Sequence, residues 1–429
     1  MKISESSLQE WEKRVRVIES CRVCGSPDLR PVIDLGPQCL TGLFDDGRPQ
    51  NQLNARVPLE VFYCGAKEGC GFIQLRHTVP PDVMFQDYGY RSGINSTMRR
   101  HLEELAVDIE SRLPLKDGDL LVDIGANDGT LLAAYARAGV IRVGFEPSQV
   151  RPWVENHGIH YIPAFFNAAD FLKKFPGRKA RVVTSIAMFY DIDDPAAFCR
   201  DIHEVLAEDG FWVVEMSCWS AVLDNNGFDA ICHEHLGYYS MSTLRWLFEK
   251  TGFDLYDVSY NASNSGSIRC FLVRKEGGLR VPEENRRRVA AALDKELRKD
   301  YDNPASHERF RRSAVKIRED LRSILGEAVK AGRTVYGYGA STKGNVLLQY
   351  CGITPEQLTA IADRNPAKKG RWTPGSRIPI CSEEEMRAAQ PDLLLILPWH
   401  FLPEFLKRES ALRSQGTRFI VPMPEVKIV

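Results

Sequence analysis

The stretch DLLVDIGANDGTLLAAYARAGVIRVGFEPS, which begins at Asp119, constrains the fold more than any other part of the sequence. LLVDIG is a continuous apolar run that ends in an acid and a glycine, which is typical of a buried parallel strand. GANDG is the turn that follows, TLLAAYARAG is predicted to be a helix, and IRVGFE is a second strand that ends at Glu146. Such a βαβ unit places ligand-binding groups at the carboxyl ends of its strands. The sequence therefore predicts an α/β fold with a doubly wound sheet.

The turn and the second strand end together indicate the kind of ligand. An acid about 20 residues after a glycine turn can accept hydrogen bonds from both ribose hydroxyl groups. A dinucleotide fingerprint needs GxGxxG, and Gly125-Ala126-Asn127 lacks the second glycine. The acidic turn would repel a pyrophosphate, so it favours a nucleoside with a cationic amino-acid tail, which is S-adenosylmethionine (SAM). The alternative is a plain βαβ turn of another α/β protein.

The segments downstream continue the same pattern. RVVTSIAMFYDIDDP (181–195) is predicted to be the fourth strand and its loop, AAFCRDIHEVLAEDG an amphipathic helix, and FWVVEMS the next strand. This succession resembles the order of a class I methyltransferase. The residues of this region predicted to bind the cofactor are Asp123, Gly125, Asn127, Asp128, Glu146, Phe165, Phe166, Ser185 and Phe189.

Two close cysteine pairs near the N-terminus predict a metal site. Cys21 and Cys24 form a CxxC pair, and Cys64 and Cys70 form a wider pair about forty residues later. Two thiolate pairs on two turns suit tetrahedral zinc, and four thiolates leave no open position for chemistry. The expectation is a structural zinc ion, with unligated cysteines in a short loop domain as the alternative.

Length and charge limit the remaining possibilities. A chain of 429 residues suggests two or three domains, and we place them at 1–80, 81–275 and 276–429. A net charge of −1 gives no reason to expect binding to nucleic acid or to an anionic membrane. No apolar run approaches the roughly 18 residues of a membrane span. The first residues are charged and helical in pattern, so we expect a cytoplasmic protein.

The stretch ICHEHLGYYS (231–240) could bind a metal or act in acid/base catalysis. HEH lacks the HExxH spacing of a helical zinc site. His233 and His235 share a face only if the backbone is extended. The simpler interpretation is acid/base chemistry, in which an imidazole works beside the carboxylate of Glu234.

A second glycine-rich turn lies in the last third of the chain. TVYGYGASTKGNVLLQYCG repeats the strand, turn and helix pattern, and it places Ser341, Thr342 and Lys343 at a helix N-terminus that suits phosphate oxygens. By itself this turn could also belong to a dehydrogenase-like cofactor site.

The paired cysteines, LVDIGANDG, GFEPS, FDAICHEHLGYYS and GSIR together resemble the sugar C-methyltransferases over nearly the whole chain. The resemblance implies a class I SAM methyltransferase core between a zinc-binding domain and a C-terminal Rossmann-like α/β domain. It implies a nucleotide-diphosphate 4-keto-6-deoxy sugar as substrate. His235 would remove the C3 proton, which the C4 ketone acidifies, Glu234 would orient or polarise the site, and His233 lies in the same cluster.

The resemblance also implies further binding residues. Tyr90, Ser92 and Met98 would cover the methyl donor. The residues implied near the substrate are Tyr88, Asn95, Cys232, Tyr238, Asn264, Ser341, Lys343, Asn345, Asp363, Arg377, Trp399 and His400. Better-known members have tyrosine in place of Cys232 and asparagine in place of Ala187, and both side chains are expected near the sugar. The partner of the developing enolate and the stereochemistry therefore stay open.

Three other functions stay open at this point. The chain could methylate an oxygen or a carbon of another small molecule, or combine methylation with ketone reduction by NAD(P)H in its last domain. It could also bind SAM for assembly or sensing without turnover. We expect a monomer or a small homo-oligomer.

Overall fold

The computed structural model describes residues 11–47, 55–67, 69–85, 91–148, 150, 158–299, 301 and 303–429. Tyr88 and Tyr90, which were predicted to contact the ligands, lie outside the described residues. The described part of the chain forms four β-sheets, of two, four, six and seven strands.

The N-terminal part is mostly antiparallel. After a short 3-10 helix, its elements are β1 (Arg16–Val17), β2 (Leu29–Cys39), β3 (Arg56–Cys64), β4 (Ile73–Leu75), β5 (His77–Thr78) and α1 (Pro81–Phe85). Strands β2, β3 and β4 lie side by side in one sheet, and β1 pairs with β5. Burial alternates along β3, as is typical of a strand that covers a core on one face.

The middle part contains the seven-stranded sheet. Its elements are α2 (Ser96–Arg112), β6 (Leu120–Ile124), α3 (Thr130–Ala134), β7 (Ile141–Phe145), β8 (Ile159–Ile162), α4 (Ala168–Lys174), β9 (Ala180–Ile186), α5 (Pro195–Val205), β10 (Leu206–Ser217), α6 (Trp219–Asp224), β11 (Gly237–Tyr238), α7 (Met241–Lys250), β12 (Phe253–Asn261) and β13 (Ser267–Arg274). The strand order is β12-β13-β10-β9-β6-β7-β8, and β13 runs antiparallel to both of its neighbours. The predicted α/β fold with a doubly wound sheet is confirmed.

The C-terminal part forms the six-stranded sheet. Its elements are α8 (Glu283–Lys299), α9 (Pro304–Lys330), β14 (Val335–Tyr338), α10 (Thr342–Cys351), β15 (Ile361–Ala362), β16 (Ile380–Cys381), α11 (Glu383–Ala389), β17 (Leu393–Ile396), α12 (Leu402–Arg408), α13 (Ser410–Ser414), β18 (Arg418–Val421) and β19 (Lys427–Ile428). The order is β16-β15-β14-β17-β18-β19, and all neighbours are parallel except β18 and β19.

Helix α8 follows the boundary that we predicted at residue 275, yet it packs on the middle sheet. It contacts β12, and its buried Ala292 belongs to the apolar core of the middle part. The carboxylate of Glu296 accepts hydrogen bonds from the backbone nitrogens of Met241 and Ser242, at 2.7 and 3.1 Å, at the start of α7. A carboxylate at a helix N-terminus satisfies unpaired amides and complements the helix dipole.

One apolar core joins the N-terminal and C-terminal parts. It contains Val61 and Leu75 of the N-terminal sheet, Ile231 of the ICHEHLGYYS stretch, and Phe310 and Leu348 of α9 and α10. Strand β11 of that stretch also pairs antiparallel with β4. The stretch is therefore held between parts of the chain that are far apart in sequence.

Two elements differ from the sequence prediction. TLLAAYARAG forms a helix only over Thr130–Ala134, because the Arg142 guanidinium donates to the carbonyl oxygens of Leu132 and Tyr135 and ends the helix there. LAEDG, predicted as the end of a helix, opens β10 instead, and Leu206 pairs with Ala180 of β9. Among the described residues, every helix is too short or too polar to span a membrane.

Candidate active site

A cavity of about 930 Å³ opens at the carboxyl ends of the strands of the middle sheet. The six-stranded sheet and the segment around Gly42 close its other sides. Seventeen of the predicted site residues line it, namely Ser92, Asn95, Met98, Asp123, Gly125, Asn127, Glu146, Phe165, Phe166, Cys232, Glu234, His235, Asn264, Ser341, Lys343, Asp363 and His400. The topology thus brings residues of all three parts of the chain to one cavity.

The turn after β6 and the end of β7 hold Glu146 in place. Its Oε2 atom accepts a hydrogen bond from the backbone nitrogen of Asn127 at 2.8 Å, and Oε1 accepts one from Ser148 at 2.8 Å. Gly125, Asn127 and Gly129 have φ of 72°, 51° and 75°, so the turn uses the left-handed region three times. The carboxylate is therefore fixed at the strand end, where a ribose is bound in folds of this kind.

The segment before α2 covers this turn. The backbone nitrogen of Ser92 donates to Oδ1 of Asn127 at 3.0 Å, and that of Gly93 donates to Oδ2 of Asp128 at 2.8 Å. Met98 follows in α2 and lines the cavity. Phe165 and Phe166 also line the cavity, and the ring of Phe166 packs edge-on to that of Phe145.

Asp123 lies at the end of β6 beneath the turn. Burial raises the pKa of its carboxyl to about 7, against the opposing effect of a hydrogen bond from Oγ1 of Thr184 at 2.6 Å. Glu146 nearby also raises that pKa. A cationic amino-acid tail would be favoured beside these two acids.

His235 has its imidazole fixed in one tautomer. Its Nδ1 atom lies 2.8 Å from the carbonyl oxygen of Ala230, and because a carbonyl oxygen only accepts, Nδ1 carries the proton. The lone pair is then on Nε2. The ring packs on Tyr190 with the centroids 4.1 Å apart. Burial, and then the positive charge of Lys343, lower the pKa of His235 to about 3. The imidazole is neutral at physiological pH and able to take a proton.

Glu234 is buried next to the histidine. Oγ1 of Thr41 donates to its Oε2 at 3.4 Å, and the amide of Gly42 and the thiol of Cys232 also donate to the carboxylate. Burial raises the pKa of Glu234 above its ordinary value, although these donors oppose the change. The carboxylate of Glu234 is therefore held in place by donors from the N-terminal part of the chain as well as from its own loop.

Contacts from all parts of the chain hold the histidine-containing loop. Nε2 of His233 donates to the carbonyl oxygen of Val57 in β3 at 3.0 Å. Nε1 of Trp399 donates to Oδ2 of Asp229 at 2.9 Å. Strand β11 extends the sheet of β4. These three contacts hold the backbone of the loop and therefore the position of the His235 imidazole.

The C-terminal part presents cations to the cavity. Nζ of Lys343 donates to the carbonyl oxygen of Asn264 at 3.0 Å, and Asn264 has φ of 53°. Four other cavity-lining cations are Arg364, Lys368, Arg371 and Arg408. Arg364 and Arg408 pair with Glu404, and Lys368 lies 3.6 Å from Asp363, both acids of the same lining. The cations of this part nevertheless offer donors that suit phosphate groups.

Eight of the predicted site residues lie outside the cavity lining. His233 is buried against Val57, because a turn in which the nitrogen of His235 donates to Cys232 at 3.1 Å points the two imidazoles apart. Oγ of Ser185 accepts from Nε1 of Trp212 at 3.2 Å. Phe189 packs in the aromatic core beside Trp212.

The remaining five have structural partners. Asp128 accepts from Gly93 and Thr130. Tyr238 is buried in the core that joins the N-terminal and C-terminal parts. Nδ2 of Asn345 donates to the carbonyl oxygen of Thr41 at 2.8 Å. Arg377 pairs with Asp45, and Trp399 donates to Asp229.

Some lining residues were missed from the sequence. Tyr190 and Asp191 follow β9, and nothing in MFYDIDD distinguished them from a polar loop. The basic residues of DRNPAKKGR directly follow the strand end at Asp363 and were a signal for a phosphate-binding side. Gly42 could not be found, because its importance depends on contact with Glu234.

The four predicted cysteines form one cluster. Their sulfur atoms all lie within 4.8 Å of one another, with Cys21 and Cys70 at 3.4 Å and Cys24 and Cys64 at 3.5 Å. Tetrahedral zinc with bonds of about 2.3 Å places its sulfur ligands roughly 3.8 Å apart. The cluster therefore fits the ion. The described residues form no disulfide.

The strand order of the seven-stranded sheet, its antiparallel β13 and the fixed Glu146 after β7 define a class I SAM-dependent methyltransferase. A methyltransferase domain model matches residues 98–258, a C-methyltransferase C-terminal domain model matches 262–424, and a zinc binding domain model matches 21–85. With the C-methyltransferase NovU of Streptomyces niveus, the chain shares 34% identity over 97% of its own length and 98% of that of NovU. The chain belongs to the C-methyltransferase family, and its cofactors are SAM and zinc.

Solved methyltransferase structures match over part of the chain. Magnesium protoporphyrin IX methyltransferase from Synechocystis, with bound SAM, is 13% identical, covers 41% of this chain and 79% of its own, and gives a TM-score of 0.32. A SAM-dependent methyltransferase from Clostridium acetobutylicum is 11% identical. The match covers 42% of this chain and 92% of that protein, with a TM-score of 0.33.

Proposed function

We propose that this C-methyltransferase methylates C3 of a nucleotide-linked 4-keto-6-deoxy sugar. The observation that carries the proposal is the imidazole of His235, whose Nε2 atom holds a lone pair while the residue lines a cavity shared by the SAM-binding turn and a cationic wall. A carbon next to a ketone loses a proton more readily than the other carbons of the sugar ring, because the negative charge moves to the ketone oxygen.

The chain supplies a base, an orienting carboxylate and a fixed place for the methyl donor. Bound SAM supplies an electrophilic methyl group. His235 takes the proton from the sugar carbon at Nε2, since Nδ1 is occupied by Ala230. Glu234 accepts from Thr41, and it can align a sugar hydroxyl or amino group beside the base.

The cationic wall supports a nucleotide diphosphate as the carrier. Lys343 and Arg371 of the C-terminal part line the same cavity as the turn of Gly125. Burying a diphosphate against several cations offsets its loss of hydration. The glycines of the YGYGASTKGN turn have packing roles of their own, because a Cβ at Gly339 would lie 2.6 Å from Pro398 and one at Gly344 would lie 2.9 Å from Leu397.

The test is an assay with SAM on a panel of nucleotide-linked 4-keto-6-deoxy sugars, with mass spectrometry for the added methyl group and NMR for its position. The matched control substrate is the 4-hydroxy sugar on the same nucleotide, which lacks the ketone and should not react. A methyl group on C3 supports the proposal. One on C5, the other carbon beside the ketone, would overturn the position, and one on oxygen would overturn the carbanion mechanism.

A second arm omits SAM and measures exchange of the C3 proton in deuterated water. Exchange of the C3 proton that requires both the enzyme and the ketone supports an enolate that is formed by a base of the enzyme. Ketone-dependent oxidation of NADPH without methyl transfer would instead support a reductase.

A further inference from the structure

Removal of a proton beside a ketone leaves negative charge on the ketone oxygen, and a proton donor near that oxygen is needed to stabilise it. Cys232 and Ala187 stand at two positions expected near the sugar. Both residues line the cavity, but an alanine side chain donates nothing and the Cys232 thiol already donates to Glu234. The donor has to come from another residue.

Asp191 is the residue placed to supply it. It ends the 3-10 helix Phe189–Asp191 and lines the cavity, directly after Tyr190, whose ring packs on His235. Its Oδ1 atom is inaccessible to solvent, and no described residue forms a hydrogen bond with it. A buried polar atom without a partner is costly in a native protein, and the carboxyl oxygen Oδ1 of Asp191 is therefore not held by the fold through a hydrogen bond from the described residues.

The surroundings of Asp191 favour the neutral carboxylic acid. Burial raises the pKa of Asp191 well above its ordinary value, and the carboxylate of Glu234 raises it further. Cys232 and Tyr238 also face it from the histidine-containing loop. Asp193, two residues later, is instead held as a carboxylate by Arg22, 3.1 Å away. A neutral carboxylic acid can donate a hydrogen bond where a carboxylate cannot.

We propose that Asp191 is a catalytic residue of this chain, and that its carboxylic acid donates to the ketone oxygen of the sugar while His235 removes the neighbouring proton. This inference rests on the proposed function. The C3–H bond breaks, the proton goes to Nε2 of His235, and the carbonyl π electrons move onto the oxygen, which is stabilised by the acid. The C3–H electron pair forms the C3=C4 bond of the enolate. When C3 takes the methyl group that bound SAM would supply, with the sulfur keeping the electron pair of its methyl bond, the ketone returns, Asp191 keeps its proton and His235 releases its own to solvent.

The experiment compares Asp191→Ala and Asp191→Asn with the unaltered enzyme in deuterium exchange and in methyl transfer. Asp191→Ala should slow both by about 100-fold, which is typical for loss of one oxyanion donor. Asp191→Asn keeps an N–H donor and should retain a larger share of both rates. Asp117→Asn is the matched control, because this exposed aspartate pairs with Arg137 on the surface and is not part of the cavity lining. SAM binding and the melting midpoint check that each variant is folded.

The pH profile of kcat/KM separates an acid role from a structural one. If Asp191 acts in its protonated form, activity of the unaltered enzyme falls as the pH rises through the pKa of Asp191. Asp191→Asn should lose that alkaline limb, whereas Glu234→Gln should not remove it. Exchange at the unaltered rate in Asp191→Ala, or an alkaline limb that survives in Asp191→Asn, would overturn the inference. If the unaltered enzyme neither exchanges nor methylates any 4-keto sugar, the proposed function itself fails.

Discussion

Nδ1 of His235 lies 2.8 Å from the carbonyl oxygen of Ala230, five residues earlier in the chain. This contact decides which nitrogen can work as a base, because the donated proton must be on Nδ1. It also fixes the plane of the ring against Tyr190. A contact within one short loop thus sets both the tautomer and the orientation of the predicted base.

Replacing His235 with Asn should abolish methyl transfer while SAM still binds. An asparagine side chain has no basic nitrogen, and loss of a general base typically costs 10²- to 10⁴-fold in rate, so a fall of at least about 100-fold is expected. Calorimetric titration with SAM should give an unchanged dissociation constant. His160→Asn is the control, because His160 is exposed on β8 outside the cavity lining. Turnover that survives in the His235 variant would remove it as the base.

The pH dependence of catalysis should respond to Lys343. His235 acts in its neutral form, so its contribution to activity is lost as the pH falls through its pKa, which is lowered to about 3. No acid limb from this residue is therefore expected between pH 5 and 8. Lys343→Met removes a positive charge that opposes protonation of the imidazole, so the acid limb of kcat/KM should move to higher pH. If the acid limb of kcat/KM lies at the same pH in Lys343→Met as in the unaltered enzyme, the charge of Lys343 does not act on His235.

Sequence patterns predicted the parts of the site that depend on neighbours in the chain. The glycine turn, Glu146 and the two cysteine pairs were predicted from local spacing. In the structure the turn contacts Glu146, and the four cysteines form a separate cluster. The orientation of His233 was not predictable, because it depends on a turn at Cys232 and on a carbonyl of β3 176 residues away. Asp191 was missed for the same reason, since only folding brings it close enough to Glu234 for that carboxylate to raise its pKa.

Gly42 leaves no room for a side chain beside the active-site carboxylate. A Cβ at this position would lie 2.1 Å from Oε1 of Glu234, so Gly42→Ala must displace that group. Loss of the fixed carboxylate should lower kcat by about 10-fold or more while SAM binding is kept, because misplacement by about 1 Å can cost up to 100-fold. Gly326→Ala in α9 is the matched control, with no atom within 4 Å of the added Cβ. Equal kcat in the two variants would contradict a role for the position of Glu234.

Glu146 should matter for the methyl donor far more than for the sugar. Its two oxygens are held by the nitrogens of Asn127 and Ser148, and it lines the cavity at the end of β7. Glu146→Gln removes the charge and one acceptor, and hydrogen bonds to a charged group are worth about 1.5–3 kcal/mol. The dissociation constant for SAM should therefore rise by roughly 10- to 100-fold. Sugar binding measured in parallel should change little, and equal losses for both ligands would place Glu146 in a general structural role.

Removal of zinc should lower the stability of the N-terminal part and loosen the histidine-containing loop of the active site. Cys64 ends β3, β3 pairs with β4, and β4 pairs with β11 of the histidine-containing loop. Metal analysis should find one zinc ion per chain, and Cys24→Ser should lower that content and the melting midpoint by roughly 10 °C. Cys381→Ser, in β16, is the matched control. Variants of His233 and His235 should keep the metal, and a loss of zinc in either would place the ion in the histidine-containing loop instead of at the four cysteines.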